Sequence, residues 1–182
     1  MKGAILQPDQ SYTFQNYFEM PHGSDEILAE LGYSLKLTTL SFRDLDVDKL
    51  AFSGKKEDLS QSIQTLKAFI ERRLPNVRLE NEASRREVLI SPLVLALMDY
   101  VPLQLRIEYV LKVSEQLKGS LDYYLQSQHN LIVIKAKNAD LTRGFTQLAV
   151  ELIALDQWTD SDATVLYGAV STGEYLAIWS VE

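Results

Sequence analysis

One stretch in the second half of the chain carries the residue types with the most chemical potential. Asp122 lies in a strand-like run, and Lys137 follows the next strand-like run. Gln147 and Glu151 come later, one turn apart in a segment with helical periodicity. This order can bring a carboxylate, an ammonium and an amide to one edge of a small sheet. Those groups are the ones that metal-assisted cleavage of a phosphodiester needs.

The elements that must position these side chains are predicted from periodicity. Residues 131–136 form an apolar run rich in β-branched residues, which is typical of a central strand. The change to a 3.6-residue period at Asp140, a residue suited to cap a helix, predicts a helix over 140–155 packed on that strand. Gln147 and Glu151 share a polar face of this helix with Arg143, at i, i+4 and i+8.

The neighbouring segments complete a predicted α-β-β-β-α-β-β order from residue 82 onward. A helix begins near Asn81 or Ser84 and is bent at Pro92, because proline removes a helical hydrogen bond. Four further strands are predicted over 103–113, 120–125, 163–170 and 174–181, the last two as a hairpin.

We predict two regions, an N-terminal extension over residues 1–80 and a core over residues 81–182. The extension is expected to contain helices and a strand and to pack on the core. Its predicted elements are short helices within 12–20 and 25–31, a strand within 33–42 and a helix over 60–73, ahead of Pro75.

Composition narrows the classes of function. The 182 residues carry a net charge of −7, with no cysteine and two histidines. Disulfides and thiolate metal sites are therefore excluded, and a histidine-rich zinc site is disfavoured. The acidic charge argues against broad nonspecific attraction to nucleic acid. Because no apolar run is long enough to span a bilayer, we expect no membrane partner and a cytoplasmic location.

The order of the elements, with the positions of Asp122, Lys137 and Gln147, resembles the PD-(D/E)xK nuclease superfamily. It looks most like the N-terminal domains of type I restriction subunits and related small nuclease-like proteins. The resemblance covers about residues 82–171. It implies an α+β fold whose restriction-endonuclease-like αβββαβ core has a central mixed sheet flanked by helices, with the N-terminal extension added.

The resemblance also implies a role for each matching residue. Asp122 matches the metal-binding aspartate, and Lys137 matches the lysine that holds the attacking water or stabilises charge on the phosphorane. Gln147 matches a glutamine that orients the site from the next helix. Glu87 matches the acid of the first helix, with Glu82 as its competitor. Each also has an ordinary alternative: a turn aspartate, a strand-end lysine, a solvated helix position or a surface ion pair.

One position departs from the family pattern. Two residues before Lys137 the family has a carboxylate ligand of Mg²⁺, and this chain has Lys135, while the carbonyl of Ala136 would supply another oxygen. An ammonium cannot ligate the ion and repels it in a cleft of low dielectric constant. Side chains on a strand repeat every two residues, so the two lysines are predicted on one face. We therefore predict an ion-pair cluster with Asp122 or Glu151 instead of a tight metal site.

Three functions remain open from the sequence. In the first, the metal site is degenerate and cleavage of DNA is weak or absent. In the second, Glu151 replaces the strand acid, and the protein is an active DNA endonuclease. It would then use Mg²⁺ or Mn²⁺ held by Asp122, Glu151, Glu87 and the Ala136 carbonyl. In the third, the protein is a non-enzymatic interaction or scaffold protein that forms a homodimer or binds another protein.

Overall fold

The computed structural model describes residues 4–34, 56–126, 131–137, 140–159, 166–172 and 176–181. Within these ranges the protein is α+β, with a mixed sheet of five strands flanked by helices. The predicted α+β class and mixed sheet are therefore confirmed. None of the helices in these ranges is long and apolar enough to cross a lipid bilayer.

The helices follow the predicted order along the chain. They are α1 (Phe14–Glu19), α2 (Ser24–Glu30), α3 (Lys56–Glu71), α4 (Glu82–Arg85), α5 (Ser91–Leu97) and α6 (Leu141–Thr159). A short 3₁₀ turn at Leu74–Asn76 follows α3, where proline prevents the α-helix from continuing. The predicted strand over 33–42 lies mostly outside the described residues, and the described Tyr33 and Ser34 are not in a strand.

The sheet has its strands in sequence order. They are β1 (Gln104–Lys112), β2 (Lys118–Gln126), β3 (Leu131–Ala136), β4 (Leu166–Ser171) and β5 (Leu176–Val181). Neighbouring strands are antiparallel except β3 and β4, which are parallel and are connected through α6. A parallel pair needs such a crossover, usually a helix. As predicted, β3 is the central strand, with two strands on either side.

A single helical segment from α4 to α5 covers one face of the sheet. Asn81 caps its start, because the Asn81 side chain accepts a hydrogen bond from the backbone N–H of Ser84 at 2.8 Å. A π-helical turn at Arg86–Ile90 separates α4 from α5, and Pro92 lies in the first turn of α5. Proline cannot donate the next helical hydrogen bond, and the irregular turn ends just before Pro92, where a bend is predicted from the sequence.

Helix α6 covers the other face and begins at the predicted cap. The Asp140 carboxylate accepts a hydrogen bond from the backbone N–H of Arg143 at 2.9 Å. Gly144 lets the first turns approach β3 closely. A Cβ atom at this position would lie 3.0 Å from both the Lys137 Cγ and the Val170 Cγ1 atoms. The bare backbone of Gly144 therefore brings α6 directly over the end of β3.

The N-terminal segment shares the main hydrophobic core with α6. The aromatic rings of Phe14 and Tyr17 are fully buried, and the Tyr17 hydroxyl donates a hydrogen bond to the carbonyl of Gln116 at 2.8 Å. The hydroxyls of Ser24 and Thr146 are hydrogen-bonded at 2.8 Å, which joins α2 to α6. Residues 4–34 thus pack on the sheet-and-helix unit through both apolar and polar contacts.

Candidate functional site

The site begins where β2 and β3 stop pairing. The last pair of their ladder is Tyr123 with Ile134, and Asp122 immediately precedes Tyr123 in β2. The Asp122 Oδ2 atom accepts a hydrogen bond from the backbone N–H of Ala136 at 2.9 Å. The side chain of Asp122 therefore bonds to β3 beyond the end of the backbone ladder, and this contact fixes the orientation of the carboxylate.

Lys135 connects the strand acid to the helix acid. Its Nζ atom lies 2.9 Å from the Asp122 Oδ1 atom and 3.2 Å from the Glu151 Oε1 atom. The side chains of Lys135 and Glu151 are buried, that of Glu151 being 0% exposed, and the Asp122 side chain is partly buried at 13% exposed. The ammonium thus lies between two carboxylates that come from β2 and α6. We call Asp122, Lys135 and Glu151 the ion cluster.

Gln147 extends the ion cluster along α6. Its Nε2 atom donates a hydrogen bond to the Glu151 Oε1 atom at 2.9 Å. The Gln147 Oε1 and Glu151 Oε2 atoms are buried and have no hydrogen-bond partner among the described residues. Burying an unpaired anionic oxygen is costly, so this geometry favours a proton on Glu151.

Glu151 and Lys135, the two buried partners of this ion pair, differ in whether they titrate near neutral pH. Burial raises the pKa of Glu151 to about 7, in spite of the opposing attraction of Lys135. Burial alone would lower the pKa of Lys135, but the charges of Glu151 and Asp122 outweigh it and hold that pKa above its ordinary value. Lys135 therefore stays charged at neutral pH, where Glu151 titrates.

Lys137 lies beside the ion cluster and has different partners. Its Nζ atom lies 3.7 Å from the Glu82 Oε2 atom of α4 and 4.1 Å from the centre of the Phe18 ring of α1. Its backbone N–H donates a hydrogen bond to the Ser171 carbonyl at 2.8 Å. Burial lowers the pKa of Lys137, more than the nearby Glu82 raises it.

Both lysines lie on the face of the sheet that α6 covers. Lys135 contacts Glu151, and the stem of Lys137 packs against Gly144 at the start of the same helix. This is the arrangement expected from the two-residue repeat of a strand. Asp122 belongs to the ion cluster, and Gln147 donates a hydrogen bond to its Glu151. The structure therefore brings together the residues that the sequence singled out on β2, at the end of β3 and on α6.

Two sequence-predicted residues do not join the site. The Glu87 side chain is 65% exposed and lies 3.6 Å from the Arg86 Nε atom, as in the surface-pair alternative. Glu82, its competitor, is the helix acid that reaches the site. At about 100° per residue, five helical residues rotate through about 500°, so the two acids leave the helix about 140° apart. Arg143 also points outward and pairs with Asp140 at 3.5 Å.

Phe18 and Ser171 are site neighbours that sequence reasoning missed. The aromatic-rich segment around Phe18 was visible as a short helix, but no periodicity identifies which distant residue an aromatic ring will contact. Ser171 ends β4, next to β3 in the sheet, and its carbonyl bonds to Lys137 through the backbone. Only the parallel register of these strands reveals that contact.

The arrangement does not fit the expected divalent cation. The four predicted ligand sources were Asp122, Glu151, Glu87 and the Ala136 carbonyl. Glu87 lies outside the site, both Asp122 oxygens are engaged, and the Lys135 ammonium lies between the two remaining carboxylates. Across the described ranges, no group of three or more histidine, cysteine, aspartate or glutamate side chains is placed to hold a metal ion.

Comparison with known proteins assigns no family to the chain. No protein-family model matches it, and neither a curated protein nor a solved structure matches it.

Proposed function

We propose that this is a nuclease-like protein of the PD-(D/E)xK type whose metal site is degenerate and whose cleavage of phosphodiesters is weak or absent. The observation that carries the proposal is the position of the Lys135 ammonium, between the carboxylates of Asp122 and Glu151. A magnesium ion would need those oxygens as ligands. In this protein the Lys135 ammonium neutralises those oxygens instead.

The free energy that a metal ion would need to displace Lys135 from the two carboxylates supports the proposal. A divalent ion could reach both carboxylates only if Lys135 withdrew, because ammonium and metal repel one another at short distance in a low dielectric. Withdrawal would break the ion pairs of Lys135 with Asp122 and with the buried Glu151, and would leave the ammonium to be solvated elsewhere. Breaking a buried pair typically costs about 3–5 kcal/mol. A metal ion would have to supply that free energy before any catalysis.

The nuclease-like part of the proposal is supported by the placement of the matching residues. Asp122 lies where β2 and β3 stop pairing, Lys137 directly follows β3, and Gln147 lies on the helix that connects β3 to the parallel β4. These are the relative positions that the family resemblance requires. Fold alone does not determine function, so the site residues must decide between a degenerate and an active enzyme.

An active endonuclease that uses Glu151 as a migrated acid is the second candidate. It is favoured by one observation. The Glu151 Oε2 and Gln147 Oε1 atoms are both buried, and neither has a hydrogen-bond partner among the described residues. Two oxygens of this kind are suitable hard ligands for Mg²⁺ or Mn²⁺. This candidate requires Lys135 to leave the ion cluster when the metal binds.

A plasmid-nicking assay separates the two candidates. We expect the wild-type protein to leave supercoiled DNA intact in Mg²⁺ or Mn²⁺, and Lys135→Glu to nick it in Mn²⁺, because the strand carboxylate is restored. Lys67→Glu is the matched control, since it makes the same charge change at a side chain that is 71% exposed on α3. It should behave like the wild type.

The opposite result would favour the second candidate. If the wild type cleaves DNA in Mg²⁺ and Glu151→Ala abolishes the cleavage, the degenerate-site proposal is wrong. Lys135→Gln serves as a milder replacement if three neighbouring carboxylates prevent Lys135→Glu from folding.

A further inference from the structure

Lys137 is covered by an aromatic ring from outside the sheet-and-helix unit. The Phe18 ring of α1 lies over the Lys137 Nζ atom, with 4.1 Å between that atom and the ring centre. The Lys137 residue is only 1% exposed. The face of an aromatic ring attracts an ammonium, so the contact is favourable as well as occluding.

The two buried lysines differ in how their charges are compensated. Lys135 lies within ion-pair distance of two carboxylates, the buried one of Glu151 and the partly buried one of Asp122. Among the described residues, Lys137 has one carboxylate within that distance, Glu82, whose side chain is 46% exposed. Lys137 is therefore the cation of the site that solvent or a ligand could reach if the covering ring moved.

The attachment of α1 allows that movement. Phe14 and Tyr17 are fully buried and hold the helix to the core. Phe18 is only partly buried and does not belong to the main core cluster. A change of its side-chain rotamer would uncover Lys137 while the two anchoring rings stay in place.

We propose that Phe18 is a gate residue over Lys137, and that an anion of the phosphate class binds this ammonium only after the Phe18 ring has moved aside. An anion suits the site because it would replace the half-exposed Glu82 carboxylate as the partner of a buried positive charge. The choice of a phosphate-class anion rests on the proposed nuclease-like function. The gate itself does not depend on metal or on cleavage. It can therefore fail or hold independently of the proposed nuclease-like function.

Trace acetylation of lysines with acetic anhydride, mapped by peptide mass spectrometry, tests the gate. Relative to the exposed Lys67 and Lys112, Lys137 should react about tenfold faster in Phe18→Ala than in the wild type, the factor that corresponds to a contact worth about 1.4 kcal/mol. Phe18→Leu keeps an apolar cover but removes the aromatic face, so its rate should lie between those of the wild type and Phe18→Ala. Phe18→Val should be intermediate, and it preserves the test if the alanine variant does not fold.

Lys135 is the internal control against general loosening, because it is buried and has no contact with Phe18 among those described. Its acetylation should stay slow in every variant, and inorganic phosphate should slow the acetylation of Lys137 more in Phe18→Ala than in the wild type. An unchanged Lys137 rate in Phe18→Ala, or an equal increase at Lys135, would overturn the gate. Absence of protection by phosphate would overturn the anion assignment.

Discussion

Replacing Lys135 with methionine is expected to lower the free energy of unfolding by about 3–5 kcal/mol at pH 8, because the buried Glu151 and the partly buried Asp122 carboxylates lose their shared cation. The Asp122 and Glu151 oxygens lie 2.9 Å and 3.2 Å from the Lys135 Nζ atom, and among the described residues no other cation forms an ion pair with either carboxylate. Methionine keeps much of the aliphatic length and isolates the loss of charge. Urea denaturation followed by circular dichroism measures the change.

The matched control for that substitution is Lys67→Met. Lys67 pairs with Glu71 at 3.7 Å on exposed α3, where ion pairs contribute little. Its removal should leave the free energy of unfolding almost unchanged. A loss of less than about 1 kcal/mol for Lys135→Met, the range of a surface pair, would contradict the ion cluster as a stabilising element.

The second large effect is a pH dependence that comes from Glu151. Its pKa is raised by burial to about 7, whereas the ordinary value is 4.5. Between these two values the folded protein holds a proton that the unfolded chain has lost, so stability falls as the pH rises through this window. The shift corresponds to a loss of up to about 3 kcal/mol. Urea denaturation of the wild type from pH 4.5 to pH 8 measures it.

Glu151→Gln isolates this contribution. The amide keeps the shape of the side chain and can still accept from Gln147 and Lys135, but it does not titrate. The difference in unfolding free energy between wild type and variant should therefore change steadily across the window, in the direction that favours the wild type at low pH. Parallel pH profiles for the two proteins would show that Glu151 does not titrate there.

Much of the fold could be predicted because local patterns dominate it. Residues 131–136 are apolar and β-branched and form the central β3, and the 3.6-residue period after Asp140 belongs to α6. The irregular turn over Arg86–Ile90 lies just before Pro92, which has no backbone N–H to donate. These features depend on neighbouring residues in the sequence, so periodicity and capping rules were sufficient to identify them.

The site was predicted where it follows from element geometry and missed where it depends on long-range packing. The shared face of Lys135 and Lys137 follows from the strand repeat. Whether Glu82 or Glu87 reaches the site depends on how the helical segment is rotated against the sheet. The sequence places both acids in that segment and does not distinguish between them. Phe18 reaches Lys137 only through the packing of α1 on the core, which no local pattern encodes.

The replacement of a metal ion by Lys135 is tested most directly by Mn²⁺ binding to the wild type and to Lys135→Gln, measured as a shift in melting temperature. We predict no shift for the wild type. For Lys135→Gln we predict an increase of about 5–10 °C at a Mn²⁺ concentration 100 times the dissociation constant. Adding Asp122→Asn to that variant should remove the increase. An equal shift in the wild type that Asp122→Asn abolishes would show that the metal binds in the presence of Lys135, and would contradict the degenerate site.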